Sequence, residues 1–546
     1  MTMELRCHGA VEGVTGSCYE LKDDSLNVHM LIDCGMFQGE PTREMRNVGP
    51  LPYDPRSLTH VLLTHAHLDH VGMLPRLYKG GYTGSVYATV ETQDLARAVL
   101  YDAMKIGAPY EKRDIDAIKW HEPGKAVFGN YCAIANDVFI RFFRSSHILG
   151  AVSITVIFGS KGEQRSITFS GDLGVNADGA EQMPLLGYRM SPVRADYLVV
   201  ESTYGATVRP PLTMSDRLAE LKGHIDDGLF NRGGTVVIPA FAIGRTQEVI
   251  CDLSLIFARE PSRYRDIPVY VDGNMNDNAG RILARQIGRT FLAGRSTKVR
   301  NAWLGAGLFE AVGLDKDDPD HMDMIVDCLK ETFGHERPTG GPREGLLANW
   351  RGITSRVLKP QAGGQPLAPI NGPAIVIAGA GMCEAGPVQR HLFEHLFDPA
   401  ATVLFTGYCG GGTIGSKLFE HGALAESERR RDRRPITLLD SSFNKQTFEA
   451  RTIRATIAKM SGYSAHADQA GVLDWLWSGK PNDDTRCDDA DRRCIAGTVL
   501  VTHGELNPRR ALAAAIEAKA AARGESVRVV IPREASGWMS LVAPGR

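Results

Sequence analysis

Neither sign of charge dominates this sequence: 62 Lys and Arg against 64 Asp and Glu leave a formal net charge of −2 over 546 residues. No long-range field draws in a polyanion, so any affinity for nucleic acid must come from local contacts. The ten cysteines, at 7, 18, 34, 132, 251, 328, 383, 409, 487 and 494, form no CxxC pair. In a chain this large they read as buried small hydrophobes or free thiols of a reducing cytosol, which predicts a cytoplasmic protein. No apolar run approaches the roughly 20 residues needed to span a bilayer. The opening Met1-Thr2-Met3-Glu4-Leu5-Arg6 carries an acid with no apolar stretch behind it, so no signal peptide is expected. Internal repeats and low-complexity tracts are also missing. What is present is ordinary globular composition, 43% hydrophobic and 23% charged, which excludes a disordered or collagen-like chain. The length suits about three to four domains, or two large ones.

The first 200 residues are dense in short β-rich runs bounded by Gly, Asp or Asn, including Leu26 to Ile32, His60 to Leu63, Ser153 to Phe158 and Tyr197 to Val200. Helical stretches such as Thr92 to Ile106 fall between them, a mixed α/β pattern. From about 206 the rhythm changes. A helix over Met214 to Leu229 leads into a buried strand, Thr235 to Ile238, and alternation with Val269 to Val271, Ala374 to Ala378 and Thr402 to Thr406 predicts a parallel sheet with crossover helices. Two stretches read as insertions. Residues 296–370 are rich in Gly, Pro and charge, with Thr339-Gly340-Gly341-Pro342, Gly363-Gly364 and a helix expected over Asp323 to Phe333; residues 478–495 are acidic and polar. The basic run from Arg429 to Arg434 reads first as a solvated helix end or loop, and second as a nucleic-acid contact.

The strongest signal is Thr64-His65-Ala66-His67-Leu68-Asp69-His70, directly behind the apolar strand His60-Val61-Leu62-Leu63. Four ligand-type residues occupy six positions where the chain leaves a buried strand. His65 and His67 can face one ion, Asp69 and His70 a second, and imidazole with carboxylate suits a borderline divalent metal. Asp33, His147, Asp172 and His503 each follow a strand signal. Singly they have ordinary readings, as turn formers or a core histidine. Together they describe a sheet that delivers a polar residue from each of several strand ends to one edge.

With these motifs the chain resembles the β-CASP subgroup of metallo-β-lactamase-fold hydrolases, which holds the cleavage-and-polyadenylation endonuclease, its archaeal and bacterial RNase relatives, RNase J and the Artemis-like nucleases. The likeness begins at Gly13-Val14-Thr15-Gly16-Ser17-Cys18 and runs through Ile32-Asp33-Cys34-Gly35, the HxHxDH box, Ser146-His147-Ile148-Leu149-Gly150 and Ser170-Gly171-Asp172-Leu173-Gly174. The subgroup's own motifs A, B and C are matched by Glu201-Ser202-Thr203-Tyr204-Gly205, Ser464-Ala465-His466-Ala467-Asp468 and Thr502-His503-Gly504-Glu505. Pro239 to Arg245 and Gly407 to Gly415 resemble its cap. A KH-like stretch before the first strand and a long C-terminal domain of the RNase J type have no counterpart, and neither does the 296–370 insertion; these bear on substrate choice.

The resemblance implies an α/β architecture: an αββα metallo-β-lactamase sandwich from residues 1–205 and 425–546, with an inserted α/β β-CASP cap at 206–424. It implies two zinc ions, with manganese the second candidate. His65, His67 and His147 would hold one, Asp69, His70 and His503 the other, and Asp172 would bridge them while Asp33 orients the box. It further implies a two-metal hydroxide mechanism on phosphodiesters, with His466 as general acid and Glu201 holding its tautomer. Arg245 is either a phosphate contact or a structural ion-pair partner. The expected activity is that of a zinc-dependent endoribonuclease on single-stranded RNA, with exonuclease action not excluded. The alternatives are a DNA nuclease of the same family, a small-molecule ester or thioester hydrolase, and a non-catalytic scaffold; fold analogy does not choose between RNA and DNA. No membrane partner is expected, and a second copy of the chain is a candidate partner.

Overall fold

The computed structural model describes residues 3–541 apart from 40, 122–128, 161–163, 175–182, 184, 187–193, 211, 288–289, 294–296, 301–302, 335–342, 344, 351–369, 408 and 479–493. Thr339-Gly340-Gly341-Pro342, Gly363-Gly364, Cys487 and most of the acidic 478–495 stretch lie outside the described residues. The described cysteines are free thiols, and all but Cys409 are buried.

Two seven-stranded sheets form the first layer pair. One runs in the order Met539–Leu541, Met3–Cys7, Tyr19–Asp23, Val28–Ile32, His60–Leu62, Ser85–Tyr87 and Lys119–Trp120. The other runs Arg528–Val530, Ala496–Val501, Ala195–Val200, Arg165–Phe169, Val152–Phe158, Val138–Arg144 and Cys132–Ala135. Strand alternation makes the layers. Val199 and Leu500 point into the core shared with Leu5, Leu21 and Met30 of the first sheet, whereas Leu198, Val200, Val499 and Val501 point outward onto Trp475, Leu512 and Ile516. Val152–Phe158 is buried at every position, as a strand covered on both faces must be. Helix Val90–Lys105 begins and ends close to the stretch expected from sequence, Thr92 to Ile106, and a further helix runs over Leu506–Ala522.

A third sheet is wholly parallel, in the order Val269–Asp272, Ala374–Gly379, Thr235–Ala240, Thr402–Phe405 and Thr456–Lys459. Its last strand comes from beyond residue 425: Thr456–Lys459 pairs in parallel with Thr402–Phe405. The hairpin of Pro435–Leu439 and Lys445–Glu449 occupies the interval, and parallel pairing across it leaves no local signature in a four-residue strand. Within the 296–370 insertion, the described helix Pro319–Gly334 packs on Asn274–Ile287, with Phe333 against Gly280. Two of the five arginines in the basic run have acidic partners: Arg430 pairs with Glu426, and Arg434 with Asp432 at 2.7 Å and Glu420 at 2.5 Å. That matches a solvated helix end.

Helix Arg245–Arg259 is buried from Arg245 to Ala258 despite its polar residues. Its Asp252 takes a hydrogen bond from Arg217 Nε at 2.9 Å and from the Tyr463 hydroxyl at 2.5 Å, all three side chains being inaccessible or nearly so. A buried ion pair contributes little net stability when intact, but removing one partner is costly. Asp252→Ala is therefore expected to lower unfolding free energy by about 3–5 kcal/mol in a denaturant titration.

Candidate metal centre

Two strand exits of the first sheet build the floor of the site. Asp33 follows Val28–Ile32 and donates its N–H to Leu62 O at 2.8 Å, which locks it beside the exit of His60–Leu62. Its carboxylate then accepts from Thr64 N, Thr64 Oγ1 and His70 Nδ1, each at 2.8 Å. Thr64 Oγ1, having donated to Asp33, accepts from His65 Nδ1 at 3.1 Å. His65 and His70 are thus both held with Nε2 turned inward, the usual way a protein fixes an imidazole tautomer. Gly35 permits the loop to close: a Cβ there would lie 1.6 Å from Asp69 O.

The second sheet supplies the rest. His147 comes after Val138–Arg144, Asp172 after Arg165–Phe169, Glu201 after Ala195–Val200 and His503 after Ala496–Val501. Asp33, Ser146 and His503 adopt positive φ values of 59°, 58° and 47°, an uncommon conformation outside glycine that turns the chain sharply at each exit. His147 Nδ1 donates to Ala465 O at 2.9 Å, and Thr203 Oγ1 meets His503 Nδ1 at 3.0 Å.

Asp172 lies at the centre. Its Oδ2 is 3.4 Å from both His65 Nε2 and His147 Nε2; its Oδ1 is 3.3 Å from His70 Nε2 and 3.5 Å from His503 Nε2. His67 Nδ1 closes the first group, 3.2 Å from His65 Nε2 and 3.0 Å from His147 Nε2. Asp69 Oδ2 closes the second, 3.6 Å from His503 Nε2. Asp172 Oδ1 is buried without a hydrogen-bond partner. Donor nitrogens and oxygens gathered this closely, with ring N–H groups turned outward, fit divalent cations. Charge agrees. Burial lowers His65 to about 3 and His67 to about 4, and takes His147 well below the usual histidine value, so these rings are neutral donors. For His70 and His503 burial acts the same way, but Asp172 and the neighbouring Asp33 or Asp69 outweigh it and raise both. The carboxylates on that side call for positive charge.

Beside this cluster, His466 Nδ1 sits 3.1 Å from both oxygens of Glu201, and its Nε2 is 3.9 Å from Asp172 Oδ2. Glu201 is fixed by Leu173 N at 2.6 Å and Thr203 N at 3.3 Å. Burial opposes protonation of His466, yet Glu201 and Asp172 prevail and raise its pKa. The structure thus brings together Asp33, His65, His67, Asp69, His70, His147, Asp172, Glu201, His466 and His503. Arg245 stands apart: it is 4% exposed, with Nη1 3.5 Å from Met183 Sδ and Glu248 nearby, and burial lowers it to about 10. That placement favours the structural of its two readings. Sequence reasoning did not single out Thr64, Thr203, the Ala465 carbonyl or Arg209. Arg209 donates from Nη2 to His466 O at 2.9 Å and to Ser464 Oγ at 3.1 Å while its N–H meets Asp468 Oδ2 at 2.7 Å. Thr64 and Thr203 sit inside motifs already noticed; Arg209 has no local signal.

Asp33 touches ligand-type residues only through their far sides. Asp33→Ala should weaken divalent-metal affinity by about 10–100-fold, read by titration of metal-stripped protein, with the fold retained by circular dichroism.

Three family models match the chain: the metallo-beta-lactamase superfamily over residues 11–130, the Beta-Casp domain over 246–418 and the Zn-dependent metallo-hydrolase RNA specificity domain over 451–532. Ribonuclease TTHA0252 of Thermus thermophilus is 30% identical over 509 residues, covering 92% of this chain and 97% of that protein. Transcription termination factor FttA of Lokiarchaeum is 30% identical over 284 residues, 51% of this chain and 43% of its own length. An RNase J-like protein of Methanocaldococcus jannaschii is 30% identical over 277 residues, 50% and 58% respectively. An end-to-end match of this kind, on a sandwich whose strand exits converge on Asp172, places the chain in the β-CASP family of metallo-β-lactamase-fold hydrolases.

Proposed function

We propose that this chain is a metal-dependent ribonuclease that hydrolyses phosphodiester bonds within single-stranded RNA. The observation that carries the reading is the division of Asp172: one carboxylate oxygen faces His65 and His147, the other faces His70 and His503, with His466 and Glu201 alongside. The match to an RNA specificity domain and the near full-length likeness to a ribonuclease support RNA as the polymer. In this reading His65, His67 and His147 hold one ion and Asp69, His70 and His503 a second, with Asp172 shared. Imidazole and carboxylate without thiolate suit zinc, and manganese at lower affinity. No helix among the described residues is long and apolar enough to cross a membrane, and free thiols suit the cytoplasm.

When bound, two divalent ions supply Lewis acidity toward phosphoryl oxygens and lower the pKa of water at the site. The chain's own residues do the rest. Glu201 fixes His466 through Nδ1, leaving Nε2 to deliver a proton to the departing oxygen, and the neighbouring carboxylates shift the ring toward its protonated form. Ala465 serves twice: its carbonyl orients His147 while its neighbour His466 carries the proton, so ligand and acid move as one loop. Asp33 and Thr64 hold His65 and His70 against rotation. Substrate would enter between the two-sheet sandwich and the inserted cap, one unpaired strand at a time.

His466→Ala should retain the metal content of the unaltered protein, about two ions at this centre, while cleavage of labelled single-stranded RNA falls by roughly 10²–10⁴-fold; loss of an ion in that variant would exchange the roles given to His466 and His503. His65→Ala should lose metal and activity together. Unstructured RNA should be cut faster than blunt duplex RNA of the same sequence, in a chelator-sensitive reaction; equal rates would contradict the single-strand cleft.

A further inference from the structure

A second gathering of metal-type side chains lies in the inserted unit, on helix Val388–His395. His391, Glu394 and His395 stand at i, i+3 and i+4, which puts them on one face of the helix. One donor atom from each lies within 4.8 Å of the others, and His391 Nδ1 is 4.0 Å from Glu394 Oε2. His391 is 0% and His395 6% exposed. His391 Nδ1 and His395 Nε2 are both buried with no hydrogen-bond partner, an arrangement native interiors rarely tolerate without a reason.

The far side of His391 is fixed. Its Nε2 is 2.8 Å from Asp272 Oδ2, at the end of strand Val269–Asp272, and Arg390 Nη2 holds the same oxygen at 2.7 Å. With Nε2–H donating to Asp272, and Arg390 Nη2 lying 3.1 Å from the same nitrogen, the Nδ1 lone pair is left facing Glu394. Carboxylate, imidazole and donor position are thus aligned as they are behind a metal-bound histidine. Burial lowers His395 to about 4, so its ring is a neutral donor. None of these residues shares a partner with the Asp172 cluster among the described contacts.

We propose that His391, Glu394 and His395 bind a further divalent ion of the zinc class, tying this helix to the sheet edge at Asp272. Two imidazoles and a carboxylate form a zinc-type donor set, and the partly exposed Glu394 side leaves the fourth position to water.

The test is metal counting on purified full-length protein loaded with zinc and freed of excess, for the unaltered chain, Glu394→Gln, His395→Asn and Asp172→Ala. The expected result is one ion per chain fewer in Glu394→Gln and in His395→Asn than in the unaltered protein. Asp172→Ala should still take up cobalt, used as a spectroscopic probe, and added zinc should raise its melting temperature; both responses should vanish in Asp172→Ala combined with His395→Asn. Glu394→Gln keeps the shape of a side chain near the surface, so it covers the case in which His395→Asn does not fold. Equal ion counts in the unaltered protein and in Glu394→Gln would overturn the proposal. Failure of the catalytic reading is separate: the unaltered protein and Asp172→Ala would then hold equal numbers of ions, while the one-ion difference caused by Glu394→Gln would persist.

Discussion

A single buried carboxylate organises this protein. Asp172 is 2% exposed, and burial alone would push it toward the neutral acid; His503, His70 and His65 around it reverse that and hold it ionised. A negative charge so placed is tolerable only where positive charge or good donors surround it. That requirement explains why strand ends from both sheets, separated by hundreds of residues, stop within a few ångströms of one point. The sharp turns at Asp33, Ser146 and His503 are the local cost of that convergence.

Much of the centre is legible in the residues because its ligands are strand terminators. The HxHxDH box declares itself by spacing alone, and Asp33, Asp172 and His503 follow apolar runs that could only be buried strands. What escapes such reading is anything that depends on pairing at a distance. The Ala465 carbonyl orients His147 through a backbone atom, which no side-chain pattern encodes. Arg209 reaches back to the His466 loop from across more than two hundred residues of sequence. Strand Thr456–Lys459 is four residues long and gains its place only from the neighbour it pairs with in parallel. From sequence, Arg245 reads equally as a phosphate contact or a structural ion-pair partner; the burial of its helix all round, which favours the second, depends on packing that no local pattern encodes.

The buried polar side chains of helix Arg245–Arg259 make the inserted unit more than a cover. Asp252 of that helix holds Tyr463, three residues before His466, and Arg217 of helix Met214–Asp226 joins the same carboxylate. The segment that carries His466 is therefore clamped at one end by the insert and at the other by Glu201. Motion of the insert relative to the sandwich would be felt first at His466, before any ligand-type residue of the HxHxDH box.

Chain order adds a consequence in time. The donor set opens at His65 and closes at His503, and the whole insert lies between Glu201 and His466. During synthesis the N-terminal portion folds first, yet it emerges with His65, His67, Asp69, His70, His147 and Asp172 and without His466 or His503. A ribosome-bound fragment then remains an incomplete nuclease until His466 and His503 have both been added. The message being read stays beyond the reach of its own product until the codon for His503 has passed.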